Sequence, residues 1–403
     1  MKIANRRSKQ FWLFAIIFII LVITGICFWQ FATKHNNEIA SKSKLNTKNV
    51  NISQPANKNS VIRMTAMGDM LAHDTIIANA KTGDSYDFGK YFTNIRPSYK
   101  NSDVVFCNQE GLSSGEQYGI SGYPSFNAPT QFSSALQTSS GCNMINLANN
   151  HMGDKGVTAT NATIDNWANL KPLLVNGANK SVEDQNKVSF ATVKGIKIGF
   201  VSFADFNNNK STPDYSINNY HDEVLVRRLL TEARQNSDVV IVSMHWGTED
   251  SGVVNADQQN EVNLLSSLGV DVIIGTGPHV LQKFQTLPRE DGGKTYVWYS
   301  LGNMLSSQLN IDELIGGIAQ FDITKSVDTN KISINNITFT PTYMHYEWTA
   351  TQSANSDLLA RKNAMIYLLS NAADPLSRSL FKTTIAEQKQ YVIDTLGAEV
   401  SVK

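Results

Sequence analysis

The sequence is short of cysteine, of net charge and of any nucleotide-handling motif. Three cysteines in 403 residues are too few for a disulfide framework, so the fold must rest on a hydrophobic core, which a chain of this length can build. Cys27 falls in a long apolar run. Cys107 and Cys142 each sit in short ones, where a pair is possible but a buried free thiol is the commoner state. Lys plus Arg and Asp plus Glu stand at 35 each, a formal net charge of zero, so bulk electrostatics give no reason to expect nucleic acid as a partner. Neither a P-loop nor an ATP-grasp signature is present. The chain therefore cannot activate and polymerise monomers by itself.

What is present begins with a segment suited to a membrane. Residues 1–10 carry Lys2, Arg6, Arg7 and Lys9 and no acid, and residues 11–32 run apolar with Gln30 as the one strongly polar side chain. That run is long enough to span a hydrocarbon core of about 30 Å as a helix. Trp12 and Trp29 stand near its ends, where aromatic rings favour the interface, and the basic cluster ahead of it predicts the N-terminus inside and the rest outside. Its length and the lack of a small-x-small cleavage site favour an uncleaved signal-anchor over a removable leader. Residues 33–60, rich in Asn, Ser and Lys, read as a flexible tether.

From Val61 onward short Val- and Ile-rich runs alternate with stretches of helical spacing, such as Val224, Leu225, Leu229 and Leu230, then Val262, Leu264, Leu265 and Leu268. This alternation predicts an α/β architecture. Asp291-Gly292-Gly293 between two β-like arms predicts a hairpin, so the sheet system is expected to be mixed. Two or three strands should close the domain near residue 350. Residues 351–403 are expected to form a helical tail, around "DLLARKNAMIYLLSN" and "TTIAEQKQYVIDTLG", packed on the parent domain.

Each apolar run ends in polar residues of one kind. Gly68-Asp69, Asn108-Gln109-Glu110, Asn149-Asn150-His151, His245-Trp246-Gly247, Gly277-Pro278-His279 and Gly302-Asn303 each follow such a run. In α/β sheets the carboxyl ends of strands form the rim on which ligand-binding loops sit. Singly, Asp69 reads as a turn residue, Glu110 as a surface charge and His245 as a packed imidazole. Together, oxygen and imidazole groups at shared strand-end positions suit a divalent ion such as Mn, Zn or Fe, and two metals sharing a carboxylate can activate water and clamp a phosphoryl group.

The ordered motifs "GDMLAHD", "NQEG", "NLANNHMGDKG", "SMHWGTED", "GTGPHVLQ" and "YSLGN" resemble the capsule-biosynthesis CapA family, the poly-γ-glutamate synthesis proteins, over about residues 61–310. That family is similar to the calcineurin-like metallophosphatases. The resemblance implies a four-layer α/β/β/α sandwich over residues 61–350, behind one N-terminal transmembrane helix. It implies metal ligation by Asp69, Glu110 (as the bridging carboxylate), Asn150, His245 and His279, with His151 assisting the phosphate or leaving group. Asp154, Glu249 and Gln282 belong to the family pattern in supporting roles such as orienting a ligand, and Asn303 at the rim is grouped with them. Two positions depart from the pattern. Leu71 stands where metallophosphatases have a histidine, with His73 nearby as a substitute, and Gly277 replaces the first histidine of the family's His-Pro-His. A site short of two imidazoles is compatible with one metal, a weak site or none.

The leading expectation is a membrane-anchored, extracytoplasmic component of capsule or poly-γ-glutamate biosynthesis or export. It would act with membrane subunits that supply the activated chemistry, and with an anionic polymer. The alternative is a metal-dependent surface hydrolase of phosphoester or related bonds. A third expectation, a wall- or sugar-binding module, would use Trp246 and Trp298 as stacking surfaces, although Trp246 by itself reads as core packing.

Overall fold

The computed structural model describes residues 59–403. The expected cytoplasmic segment, the membrane span and nearly all of the tether lie outside the described residues. Among the described residues no helix is long and apolar enough to cross a membrane.

Two mixed sheets carry the fold. The first has nine strands, including β1 (Ser60–Leu71), β2 (Val104–Glu110), β3 (Met144–Asn146) and β4 (Leu174–Asn176). The second has six strands: β5 (Ser189–Val193), β6 (Ile196–Ala204), β7 (Val239–His245), β8 (Val272–Thr276), β9 (Phe284–Pro288) and β10 (Lys294–Trp298). The chain then returns to the first sheet through β11 (Asn303–Leu305), β12 (Ile315–Lys325), β13 (Ile332–Glu347), β14 (Lys362–Leu368) and β15 (Ser401–Val402). The first sheet runs β14-β13-β12-β1-β2-β3-β4, with β11 beside β1 and β15 beside β13; the second runs β9-β10-β8-β7-β6-β5. β1 to β4 are mutually parallel, as are β6, β7, β8 and β10. β9 and β10 form the expected antiparallel hairpin around Asp291-Gly292-Gly293.

Strand periodicity explains the layering. On β6, β7 and β8, Ile198, Phe200, Ile241, Val272 and Ile274 belong to the core shared with the first sheet. Their neighbours Val201, Val240, Val242 and Ile273 belong to a second core with helical residues. Alternate side chains on a strand point to opposite faces, so this sheet is covered on both. Phe106 on β2 meets Phe200 on β6 edge to face at 6.2 Å, and Trp298 stacks on Phe339 at 5.8 Å. These contacts join the sheets face to face. On the outer face of the second sheet, α2 (Glu223–Asn236) buries Leu225, Val226, Leu229, Leu230 and Ala233, and α3 (Ala256–Ser267) buries Val262 and Leu265. On the first sheet's outer face, α1 (Val157–Leu170) sets Trp167 against β2, its Nε1 donating to Gln109 Oε1 at 2.9 Å.

Three expectations are corrected. Val224 is 78% exposed, so the buried stripe of α2 begins one residue later. Cys107 and Cys142, expected as free thiols, form a disulfide that is wholly buried between β2 and the entry to β3. Residues 362–368 are an edge strand paired with β13, not a helix. The buried residues Ala364 and Ile366 lie two apart, which is strand spacing. Only the second predicted tail helix forms, as α4 (Ile385–Leu396) with a Thr384/Glu387 capping box. Trp246 and Trp298 are 2% and 1% exposed. They are core residues, as Trp246 by itself reads, so no stacking surface is available to a sugar there.

Candidate metal centre

The carboxyl ends of the parallel strands in both sheets meet at one rim. Asp69 sits where β1 changes register against both β2 and β11, and a register shift of this kind re-aims a side chain. The bend is possible because residue 68 is glycine: a Cβ there would lie 1.8 Å from the Gly302 carbonyl oxygen. That carbonyl accepts the Asp69 N–H at 3.0 Å. The strand from the neighbouring β11 loop thus clamps the backbone of the first candidate ligand.

Around Asp69 the side chains converge as the motifs require. Asn108 Nδ2 donates to Asp69 Oδ1 at 2.7 Å, and the Gly277 N–H donates to Oδ2 at 3.2 Å. His279 Nδ1 is shared between Asp69 Oδ2 (3.2 Å) and Asn303 Oδ1 (3.1 Å), which turns its Nε2 to Glu110 Oε1 at 3.7 Å. His245 Nε2 donates to Asn150 Oδ1 at 3.1 Å and also lies 3.7 Å from Glu110 Oε1. The Asn108 amide and the Thr276 hydroxyl face His245 Nδ1 at 3.4 and 3.1 Å. His279 holds a left-handed φ of 63°, an unfavourable conformation for a non-glycine residue that the surrounding contacts must impose.

Glu110 decides what the cluster fits. It is 1% exposed, and neither carboxylate oxygen has a hydrogen-bond partner. A buried carboxylate left without partners is costly, and 3.7 Å is too long for a hydrogen bond from either imidazole. Ligand atoms of Asp69, Glu110 and His279 lie within 4.8 Å of one another. Two carboxylates, one of them without partners, and an imidazole fit a divalent ion.

The electrostatics agree with that fit. Burial pushes the Glu110 carboxyl well above its ordinary value, with His279 opposing and Asp69 reinforcing the rise. Burial also pushes Asp69 upward, but its bond to His279, the charges of His279 and His245, and Asn108 together bring it below the usual range. Burial lowers His279, yet Glu110 and Asp69 outweigh it and raise the imidazole to about 10. Burial takes His245 down to about 3.

His151 stands beside this group. Its Nδ1 is 2.8 Å from Asp154 Oδ2, which also accepts the Phe126 N–H at 2.7 Å, and Phe126 packs edge-on against the ring at 4.6 Å. A ring held this way at Nδ1 keeps Nε2 for exchange with a substrate. The other supporting residues differ in placement. His73 makes no hydrogen bond to Asp69, Glu110 or His279; its Nδ1 accepts from the Ser307 N–H at 3.3 Å, so it lines the edge of the cluster. Glu249 is exposed, and its charge still acts on Glu110 and His279. Gln282 is buried and braces the loop after β7 through the carbonyls of Ser251 and Val253. A histidine cannot take the place of Gly277 on this backbone: φ is 106°, and a Cβ would lie 2.9 Å from the Trp246 carbonyl.

Sequence reasoning missed the parts played by Asn108 and Asn208. The Asn208 N–H donates to the Asn150 carbonyl at 2.9 Å, and its amide lies 3.2 Å from His151 Nδ1. Asn108 precedes Glu110 within "NQEG", a visible signal; Asn208 lies in a polar loop with no distinguishing spacing.

Comparison with known proteins places the chain. Residues 63–308 match the family described as bacterial capsule synthesis protein PGA_cap. The PGA biosynthesis protein CapA of Bacillus subtilis (strain 168) is 33% identical over 171 residues, which cover 41% of this chain and 43% of that protein. The capsule biosynthesis protein CapA of Bacillus anthracis is 27% identical over 266 residues, covering 62% and 61%. The chain thus matches less than two thirds of the length of either relative. Similar solved structures include a novel phosphatase from Mycoplasma pneumoniae (TM-score 0.43, 11% identity, 70% of this chain and 94% of that one). Another is the 5'-nucleotidase from Candida albicans SC5314 (TM-score 0.40, 12% identity, 69% and 51%). By the match over residues 63–308, which carry the rim, the chain belongs to the bacterial capsule synthesis PGA_cap family.

Proposed function

We propose that this protein is a membrane-anchored, extracytoplasmic component of capsule or poly-γ-glutamate assembly. In this reading its rim holds a divalent ion and acts on a phosphoester or related bond. Kinship with two CapA proteins supports the assembly role. The apolar run at residues 11–32 supports the anchor. The buried Cys107–Cys142 disulfide supports an oxidising location outside the cytoplasm. The arrangement of two facing sheets with outer helices is read as a four-layer sandwich of metallophosphatase type.

The observation that carries the chemistry is Glu110, a buried carboxylate with two free oxygens between His245 and His279. Asp69, Glu110, His279, His245 and Asn150 would hold Mn, Zn or Fe there. Such an ion polarises a phosphoryl oxygen and makes water acidic enough to attack near neutral pH. Asn108 and Asn303 fix Asp69 and His279 in place. His151, oriented by Asp154, delivers a proton to the leaving oxygen. The site has fewer imidazoles than a two-metal centre, because Leu71 is packed in the core and Gly277 has no side chain.

Hydrolysis of an activated phosphodiester by the full chain with added Mn, Zn or Fe tests this reading. His151→Ala should lower kcat by about 100-fold or more while the bound metal stays. Equal turnover by wild type and variant would defeat the mechanism. The assembly role would then stand without the chemistry.

A further inference from the structure

Arg361 is a buried cation that the metal centre does not use. It is 3% exposed, lies beyond the residues matched to the family, and has no carboxylate beside it among the described residues. Its Nε donates to the Leu358 carbonyl at 2.9 Å and its Nη1 to the Ser307 carbonyl. Tyr346 and Trp348 cover it at 4.9 and 5.5 Å. The carboxylate acting on its charge, Asp74, is exposed and bonded to the Gly122 N–H. Two carbonyls, the Tyr346 hydroxyl and two rings surround the guanidinium without supplying a counter-charge, and an unpaired buried charge is costly.

Two serine hydroxyls near it are free to donate. Ser306 and Ser307 are 0% and 2% exposed, and neither hydroxyl has a partner. Ser307 holds His73 through its N–H and Arg361 through its carbonyl. The His73 ring also bonds the Leu71 backbone. Strand register sets these residues beside the metal centre: Leu71 pairs with Glu110, and Met70 with Leu305. His73 and Ser306-Ser307 therefore leave neighbouring strands at the level of Glu110.

We infer that Arg361, Ser306 and Ser307, beside His73, form an oxyanion site that receives a phosphoryl or carboxylate group of the substrate next to the metal centre. The inference deepens the reading of that centre and rests on it for where the substrate reacts. A guanidinium with no carboxylate beside it and two unpartnered hydroxyls that can each donate complement an oxyanion, and charge-assisted bonds from Arg suit either group.

The test is calorimetric titration of the full chain, stripped of metal by chelation, with inorganic phosphate and separately with glutarate. Wild type binds at least one, and the tighter of the two identifies the group. Arg361→Gln weakens that anion by about 10- to 100-fold, as expected for charge-assisted bonds. A chain carrying Ser306→Ala and Ser307→Ala weakens it by about three- to tenfold with an unchanged melting temperature, because those hydroxyls have no partner to lose. That double variant guards against misfolding of Arg361→Gln. Binding of neither anion by wild type, or wild-type affinity in both variants, overturns the site. Metal uptake measured on the same samples reports separately: anion binding without metal uptake keeps this site and removes the metal reading.

Discussion

At the scale of single residues, the centre is governed by two groups that hold protons more tightly than usual. Glu110 is raised by burial, and His279 is raised to about 10 by Glu110 and Asp69 despite its own burial. A metal ligand must be deprotonated, so an incoming ion displaces whatever proton this pair retains. A raised pKa means that the proton persists to higher pH, and competition with metal weakens as pH rises. Metal affinity should therefore increase from pH 5 to 8, with proton release seen as buffer-dependent binding heat. An affinity flat across that range would show that Glu110 and His279 do not ligate. The residues of this cluster were legible in the sequence because each follows an apolar run. Their hydrogen-bond partners were not: Asn108 binds Asp69 across 39 positions and Asn208 meets His151 across 57, pairings that no local pattern encodes.

At the scale of elements, long periodic segments were readable and short or paired ones were not. The helix α2 and the β9–β10 hairpin could be read from spacing and turn residues. The strand β14 could not, because "AMIYLLSN" contains apolar residues at both strand and helix intervals and only pairing with β13 selects the strand. The disulfide was hidden for a similar reason. Cys107 and Cys142 lie 35 positions apart, and it is the register of β2 with β3, Cys107 opposite Ile145, that brings them near. Closing a loop of that size is worth about 4 kcal/mol in the chain-entropy account. Cys142→Ser should lower the unfolding free energy by about 2–4 kcal/mol in denaturant titration and leave metal content unchanged. A variant as stable as wild type would mean that the bridge contributes nothing to the fold.

At the scale of the whole molecule, one sheet brings Asp69, Glu110 and Asn150 to the rim and the other brings His245 and His279. Neither sheet alone holds enough ligands, so the site exists because the sheets pack face to face. The alternating α/β pattern predicted strands and a rim. It did not predict that the chain returns from the second sheet through β11 to pair with β1, the step that places Asn303 against His279 and Gly302 against Gly68. Such a return depends on contacts across more than 200 positions, beyond any periodicity in the sequence.

The central claim is that this rim holds a divalent ion. Its most direct test is the metal content of the purified full chain and of Asp69→Ala, after exposure to Mn, Zn and Fe and removal of free ion. The account predicts that wild type retains metal and that Asp69→Ala loses it with unchanged circular dichroism. No metal retained by wild type, or equal retention by both, would contradict it.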